Sequence, residues 1–140
     1  MGFFDRFKRQ PEPEKNKILL AMPLFKNGES INIKAVVEHL NSYWGLAVTD
    51  INDRDTTSVF SIDGQMVAVA FMDAPIPGND IADTAAYAYN WPDALDALKD
   101  YTGHAIVSVM GSGPKNTVER YKIMSKLLAS ILATTNAAGV

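Results

Sequence analysis

Hydrophobic and polar positions change period several times along this chain, and each change marks an element. Ile18 to Phe25 (ILLAMPLF) is an apolar run stopped by Lys26-Asn27-Gly28, the pattern of a central strand buried on both faces. Pro23 has no N–H to give to a ladder, which places a free edge or a bulge there. From Asn32 the period becomes helical. Ile33, Val36, Val37, Leu40 and Trp44 form one stripe, Ile31 and Val36 stand at staple positions, and Gly45 supplies a left-handed C-cap. Leu46 to Ile51 reads as a second strand, and Asn52-Asp53-Arg54-Asp55 as its polar exit. Thr57 to Ile62 and Gln65 to Met72 flank Asp63-Gly64, a strong hairpin signal.

The stretch Asp73-Ala74-Pro75-Ile76-Pro77-Gly78 cannot continue a paired strand, because two prolines remove donors and restrict the residues before them. Asn79 or Asp80 then caps a helix through Ile81, Ala82, Ala85, Ala86 and Tyr89. Asn90-Trp91-Pro92-Asp93 starts another, whose face is Ala94, Leu95, Leu98 and Tyr101 and which Gly103 closes. His104 to Met110 is a fifth strand. The last helix carries a stripe of Val118, Tyr121, Met124, Leu128, Ile131 and Leu132. Three consecutive strands on short links must be largely antiparallel, while the first strand-helix-strand passage permits a parallel crossover. The expected fold is therefore α+β: a mixed, largely antiparallel five-stranded sheet with helices mainly on one face, in the order β-α-β-β-β-α-α-β-α, over residues 18–140.

Composition narrows the function classes. With 140 residues, 47% hydrophobic and 21% charged, the chain fits one ordinary domain, and without cysteine it has no disulfide, thiolate or Cys-based metal chemistry. Residues 1–17 (MGFFDRFKRQPEPEKNK) hold five basic and three acidic side chains, net +2, which leaves −5 of the formal −3 for residues 18–140. The opening stretch reads as a flexible basic leader, too short in apolar residues for a signal peptide or membrane span, and its expected setting is the cytoplasm. An acidic body without a basic patch argues against nucleic acid and suits a basic protein partner.

Candidate chemistry is sparse. Gly111-Ser112-Gly113-Pro114-Lys115-Asn116 lies between a strand and a helix, where backbone N–H groups of Gly111, Ser112 and Gly113, with Lys115, can hold an anion. It has neither the order of a P-loop nor the third glycine of a dinucleotide fold. Asp50, Asn52, Asp53 and Asp55 resemble a calcium loop only until Arg54 takes a ligand position and Asp55 the glycine position. His39 sits beside Glu38 on the polar side of its helix, where solvation is expected. His104, at a strand entry, is either a satisfied sheet-end histidine or a general base with a carboxylate such as Asp73. No cofactor or metal follows from these patterns.

Aromatics around the third helix carry more. Tyr87 and Tyr89 are about 200° apart on a helix, so an inward Tyr89 turns Tyr87 outward. Trp91 either plugs the corner against Pro75 and Pro77 or, with Tyr87, faces a partner. The segments MVAVAFMDAPIP and AYAYNWPDAL, with Trp44-Gly45-Leu46 and the closing NAAGV, resemble the bacterial domain-of-unknown-function family 4261 over residues 18–140. That resemblance implies a fold and no catalytic residues. Similar small families often accompany toxin-immunity genes, so it also suggests an immunity-type role. The expectation is a non-catalytic protein-binding module, with Asp73, Pro75, Ile76, Pro77, Tyr87, Trp91, Asp53 and Asp55 meeting a basic toxin or effector. Homo-oligomerisation through the aromatic helix is a further expectation. The alternative is a small-ligand or hydrolase-like domain with a pocket near His104 and the 111–116 turn.

Overall fold

A computed structural model describes residues 18–111 and 117–140, which share one sheet and one core. The chain runs β1 (Ile18–Ala21), β2 (Leu24–Phe25), α1 (Ile33–Trp44), β3 (Val48–Arg54), β4 (Thr57–Ile62), β5 (Gln65–Met72), α2 (Asp80–Ala86), α3 (Ala94–Leu98), β6 (Gly103–Met110) and α4 (Thr117–Thr134). The sheet order is β1-β6-β5-β4-β3, with β2 also on β6.

Pro23 makes six strands of the expected five. The register passes from Ala21 opposite Val107 to Leu24 opposite His104 without a slip. The Pro23 carbonyl accepts from the Ala105 N–H at 3.0 Å, but proline returns no donor, so the ladder breaks while the alignment persists. The first part of the run Ile18 to Phe25, β1, is thus an edge and not a central strand, while Leu24 is bridged on its other side by Gly139. Phe25 and Leu24 are buried, whereas Ile18 and Leu20 are exposed.

Every strand pair among the described residues is antiparallel, which corrects the mixed sheet. β1 and β3 do run in the same direction. They lie at opposite edges with three strands between them, so the α1 connection crosses the whole sheet instead of joining parallel neighbours. The Asp63-Gly64 turn has positive φ at both residues (48° and 76°), the conformation a two-residue hairpin requires. β3 extends farther than its sequence suggests. A bulge at Asp50-Ile51 lets it continue through Asp53 and Arg54 to a second tight turn at Asp55-Thr56.

One face of the sheet is covered by α1 and α4. Val36 and Leu40 of α1, with Ile123, Leu127 and Ile131 of α4, close over Phe60, Val67, Val69, Val107 and Val109. Asn32 caps α1 by accepting the Ala35 N–H at 3.2 Å, and Gly45 ends it at φ 65°. α4 buries part of the expected stripe, Met124 and Ile131 with Leu128 packed against the core, but the buried face is turned toward Ile123 and Leu127. Arg120, Ile123, Met124, Leu127, Ser130 and Ile131 point inward, while Val118, Tyr121 and Leu132 are exposed. Two polar members carry the difference: Arg120 donates to Thr117, and Ser130 Oγ lies 2.8 Å from His39 Nδ1 on α1. His39 is therefore a partly buried bridge between helices and not a solvated residue.

Candidate functional site

The segment between Met72 and Gly103 leaves the sheet and returns to the neighbouring strand, so both ends are fixed by the β5–β6 ladder, whose last pair is Met72 with His104. Two side chains pin it further. His104 Nδ1–H donates to the Ala74 carbonyl at 2.7 Å, and Tyr101 Oη accepts the Ile76 N–H at 2.8 Å. Gly103 is required by close approach: a Cβ there would lie 2.9 Å from the Met72 carbonyl oxygen. His104 is buried, and the partner of its Nδ1 is a carbonyl and not a carboxylate, which is the arrangement of a satisfied sheet-end histidine.

The corner opens onto a cleft of about 250 Å³ between α2 and α3, lined by Pro75, Ile76, Ile81, Ala85, Leu95 and Leu98. Asp73, Pro75 and Pro77 are exposed, and Ile76 is half-buried. Beside the cleft the helix stops early. α2 ends at Ala86 with Tyr87 as its C-cap, and residues 87–90 form turns. Helical spacing no longer applies to Tyr87 and Tyr89, so both face outward, at 84% and 87% exposure. The expectation of an inward Tyr89 fails for that reason. α3 begins at Ala94, two residues beyond the expected first position at Pro92, with Asp93 in the N-cap place making no side-chain cap hydrogen bond. Trp91 is 39% exposed, and its ring lies against the C-terminal segment: a Cβ at Gly139 would approach Trp91 Cη2 to 3.0 Å. That segment in turn pairs with Leu24, through Leu24 N–H to Gly139 at 2.8 Å. Trp91 thus packs part of its ring against Gly139 and leaves the rest exposed.

The acidic turn stands at the same end of the sheet. The Phe71 N–H donates to the Thr56 carbonyl at 2.8 Å, two residues before Asp73. Asp53 and Asp55 line a cleft of about 500 Å³ with Ser30, Asn32, Ile33 and Phe71, beside the N-terminus of α1. The Ser58 hydroxyl donates to Asp53 and fixes that carboxylate. Asp53, Asp55 and Asp73 therefore gather at one end, with no lysine or arginine within hydrogen-bonding reach of the two turn carboxylates among the described residues. Three carboxylates and two open tyrosines can hold cationic and apolar side chains.

Of the anion turn only Gly111 is among the described residues. Ser112, Gly113 and Lys115 are outside the described residues. Gly111 is buried beside Gln65, whose Oε1 occupies the space a Cβ would need and has no hydrogen-bond partner. His104 is the second residue of β6 and Gly111 follows its end, roughly 24 Å apart at about 3.4 Å per residue. Tyr101, which holds the corner, and Tyr89 escaped the sequence reading. The signal that finds Tyr89 is the run Ala86 to Asn90, too poor in apolar spacing to extend α2. Among the described residues no three His, Asp or Glu side chains converge as metal ligands, and no helix is long and apolar enough to cross a membrane. Compared with protein families, with curated proteins and with solved structures, the chain matches none.

Proposed function

We propose that this protein is a non-catalytic binding module acting in the cytoplasm, which holds a basic protein at the corner end of its sheet. The observation that carries the reading is the pair Tyr87 and Tyr89, 84% and 87% exposed beside an apolar cleft. Tyrosine buries a large area at little conformational cost and keeps a polar tip, which suits an interface anchor. Asp53, Asp55 and Asp73 add the charge that draws in a cationic surface and speeds encounter. Occlusion of a basic toxin or effector is the concrete form, since immunity by blockade needs tight contact and no chemistry.

The test is affinity capture with the full chain as bait, comparing wild type with Tyr87→Ala/Tyr89→Ala and Asp53→Asn/Asp55→Asn, each checked for native circular dichroism. A specific partner should be lost with the tyrosines, about 30-fold or more in affinity if they are anchors. The aspartate pair should lower its association rate and its salt sensitivity. Equal retention of every captured protein by all three baits overturns the proposal.

A further inference from the structure

The face of the sheet opposite α1 and α4 breaks the ordinary alternation of an antiparallel sheet, in which outward positions are polar. β5 turns Met66, Ala68, Ala70 and Met72 outward, because Gln65, Val67 and Val69 are the buried set. Their neighbours continue the pattern. Register places Met110 opposite Met66 and Ile106 opposite Ala70 on β6, then Ile18 opposite Met110 and Leu20 opposite Ser108 on β1. Leu20 is 61% exposed and Met66 44%. Ser108 on β6, opposite Ala68 and Leu20, and His104 at the strand end are the polar members of this stretch; otherwise polar side chains collect toward the far edge, with Thr57 and Ser61 on β4 and Thr49, Asn52 and Arg54 on β3. An apolar centre with a polar rim is the anatomy of an interface and not of a solvated face.

From this we infer that the open sheet face is the contact between two copies of this chain, packed sheet on sheet. Three observations select a second copy over another occupant. No carboxylate stands at the outward positions of β1, β4, β5 or β6, although residues 18–140 carry a net −5, so two copies meet without like charges at the centre. A basic partner would find nothing there to pair with. Secondly, a copy has the same twist, and sheets of like twist stack with strands about 30° apart at about 10 Å separation. Thirdly, five strands at about 4.8 Å spacing and about 25 Å length give a footprint of roughly 500 Å², which side-chain relief raises toward the roughly 800 Å² per partner of a stable interface. The exposed methionines suit the role, being flexible enough to fill the gaps between two pleated surfaces. The corner lies at the β5–β6 end of this face, where the Ala74 carbonyl accepts from His104.

Sedimentation of the full chain over a dilution series tests this, with Ala68→Glu, Met66→Lys and Tyr87→Ala beside the wild type. The expected mass of the wild type is twice the 15.3 kDa of one chain, falling to one chain on dilution. Both charged variants should stay monomeric with native circular dichroism, while Tyr87→Ala still dimerises. Peroxide footprinting should show Met66, Met72 and Met110 protected only at dimer-forming concentrations. A monomeric wild type overturns the inference, as does a dimer that survives Met66→Lys. Methionine protection that persists in the monomer also overturns it, since the chain's own residues 1–17 then cover the face. Should Ala68→Glu fail to fold, Met66→Lys at a more exposed position and the unmodified protein's footprint decide the matter.

Discussion

Leu127 and Leu132 stand five residues apart on α4 and meet opposite surroundings, which makes them a direct test of the face this helix buries. Leu127 is fully buried against the sheet, while Leu132 is 45% exposed. Truncating Leu127 to alanine removes three carbons from a packed site and leaves a cavity, at a cost of about 2–5 kcal/mol. At Leu132 nearly half of the side chain is already in water and solvent fills the gap, so the transfer loss alone remains, about 1 kcal/mol. Against a total stability of about 5–15 kcal/mol, the first is a severe lesion and the second a mild one. Urea denaturation followed by far-ultraviolet circular dichroism reads the difference. With a slope of about 2 kcal/mol/M, Leu127→Ala should lower the midpoint by about 1–2.5 M and Leu132→Ala by about 0.5 M, the slope staying constant. A variant pair in which Leu132→Ala costs as much as Leu127→Ala refutes the assignment and restores the stripe of Val118, Tyr121, Met124, Leu128, Ile131 and Leu132.

Two further outcomes follow from the corner. Tyr101→Phe removes the acceptor of the Ile76 N–H and should cost about 0.5–1.5 kcal/mol, with faster hydrogen exchange at Ile76 while the β4–β5 amides are unchanged. Unchanged exchange at Ile76 would show that the tyrosine does not hold the corner. Gly103→Ala drives a methyl group toward the Met72 carbonyl, 2.9 Å away, and against Phe71, and should cost about 1–3 kcal/mol by thermal or chemical denaturation. A neutral result would mean that the β5–β6 strand ends are free to spread.

Much of the fold is legible in the residues because it depends on local rules. Asp63-Gly64 encodes its hairpin, since both residues tolerate the positive φ of that turn. Asn32 and Gly45 mark the ends of α1, where side-chain oxygen and missing Cβ act on the nearest backbone. Pro75 and Pro77 likewise stop β5 without reference to anything distant. For the site, the grouping of Asp53 with Asp55 follows from spacing, whereas helical spacing does not govern Tyr87 and Tyr89, both exposed, because a seven-residue helix ends before them.

What the tertiary structure decided is every choice between equivalent local solutions. α4 has two apolar stripes, and only the fit of Ser130 to His39 and of Leu127 to the sheet selects the one that is buried. The apolar run at Ile18 is compatible with a central strand or an edge, and strand order makes it an edge because β6 takes the central place beside β5. His39, His104 and Tyr101 find partners 91, 30 and 25 positions away in the chain, distances over which periodicity carries no information. The sequence by itself determined where elements begin and turn, since those depend on φ, missing donors and caps within a few residues. Which faces meet, and which face is left open for another surface, was decided only when the strands took their order.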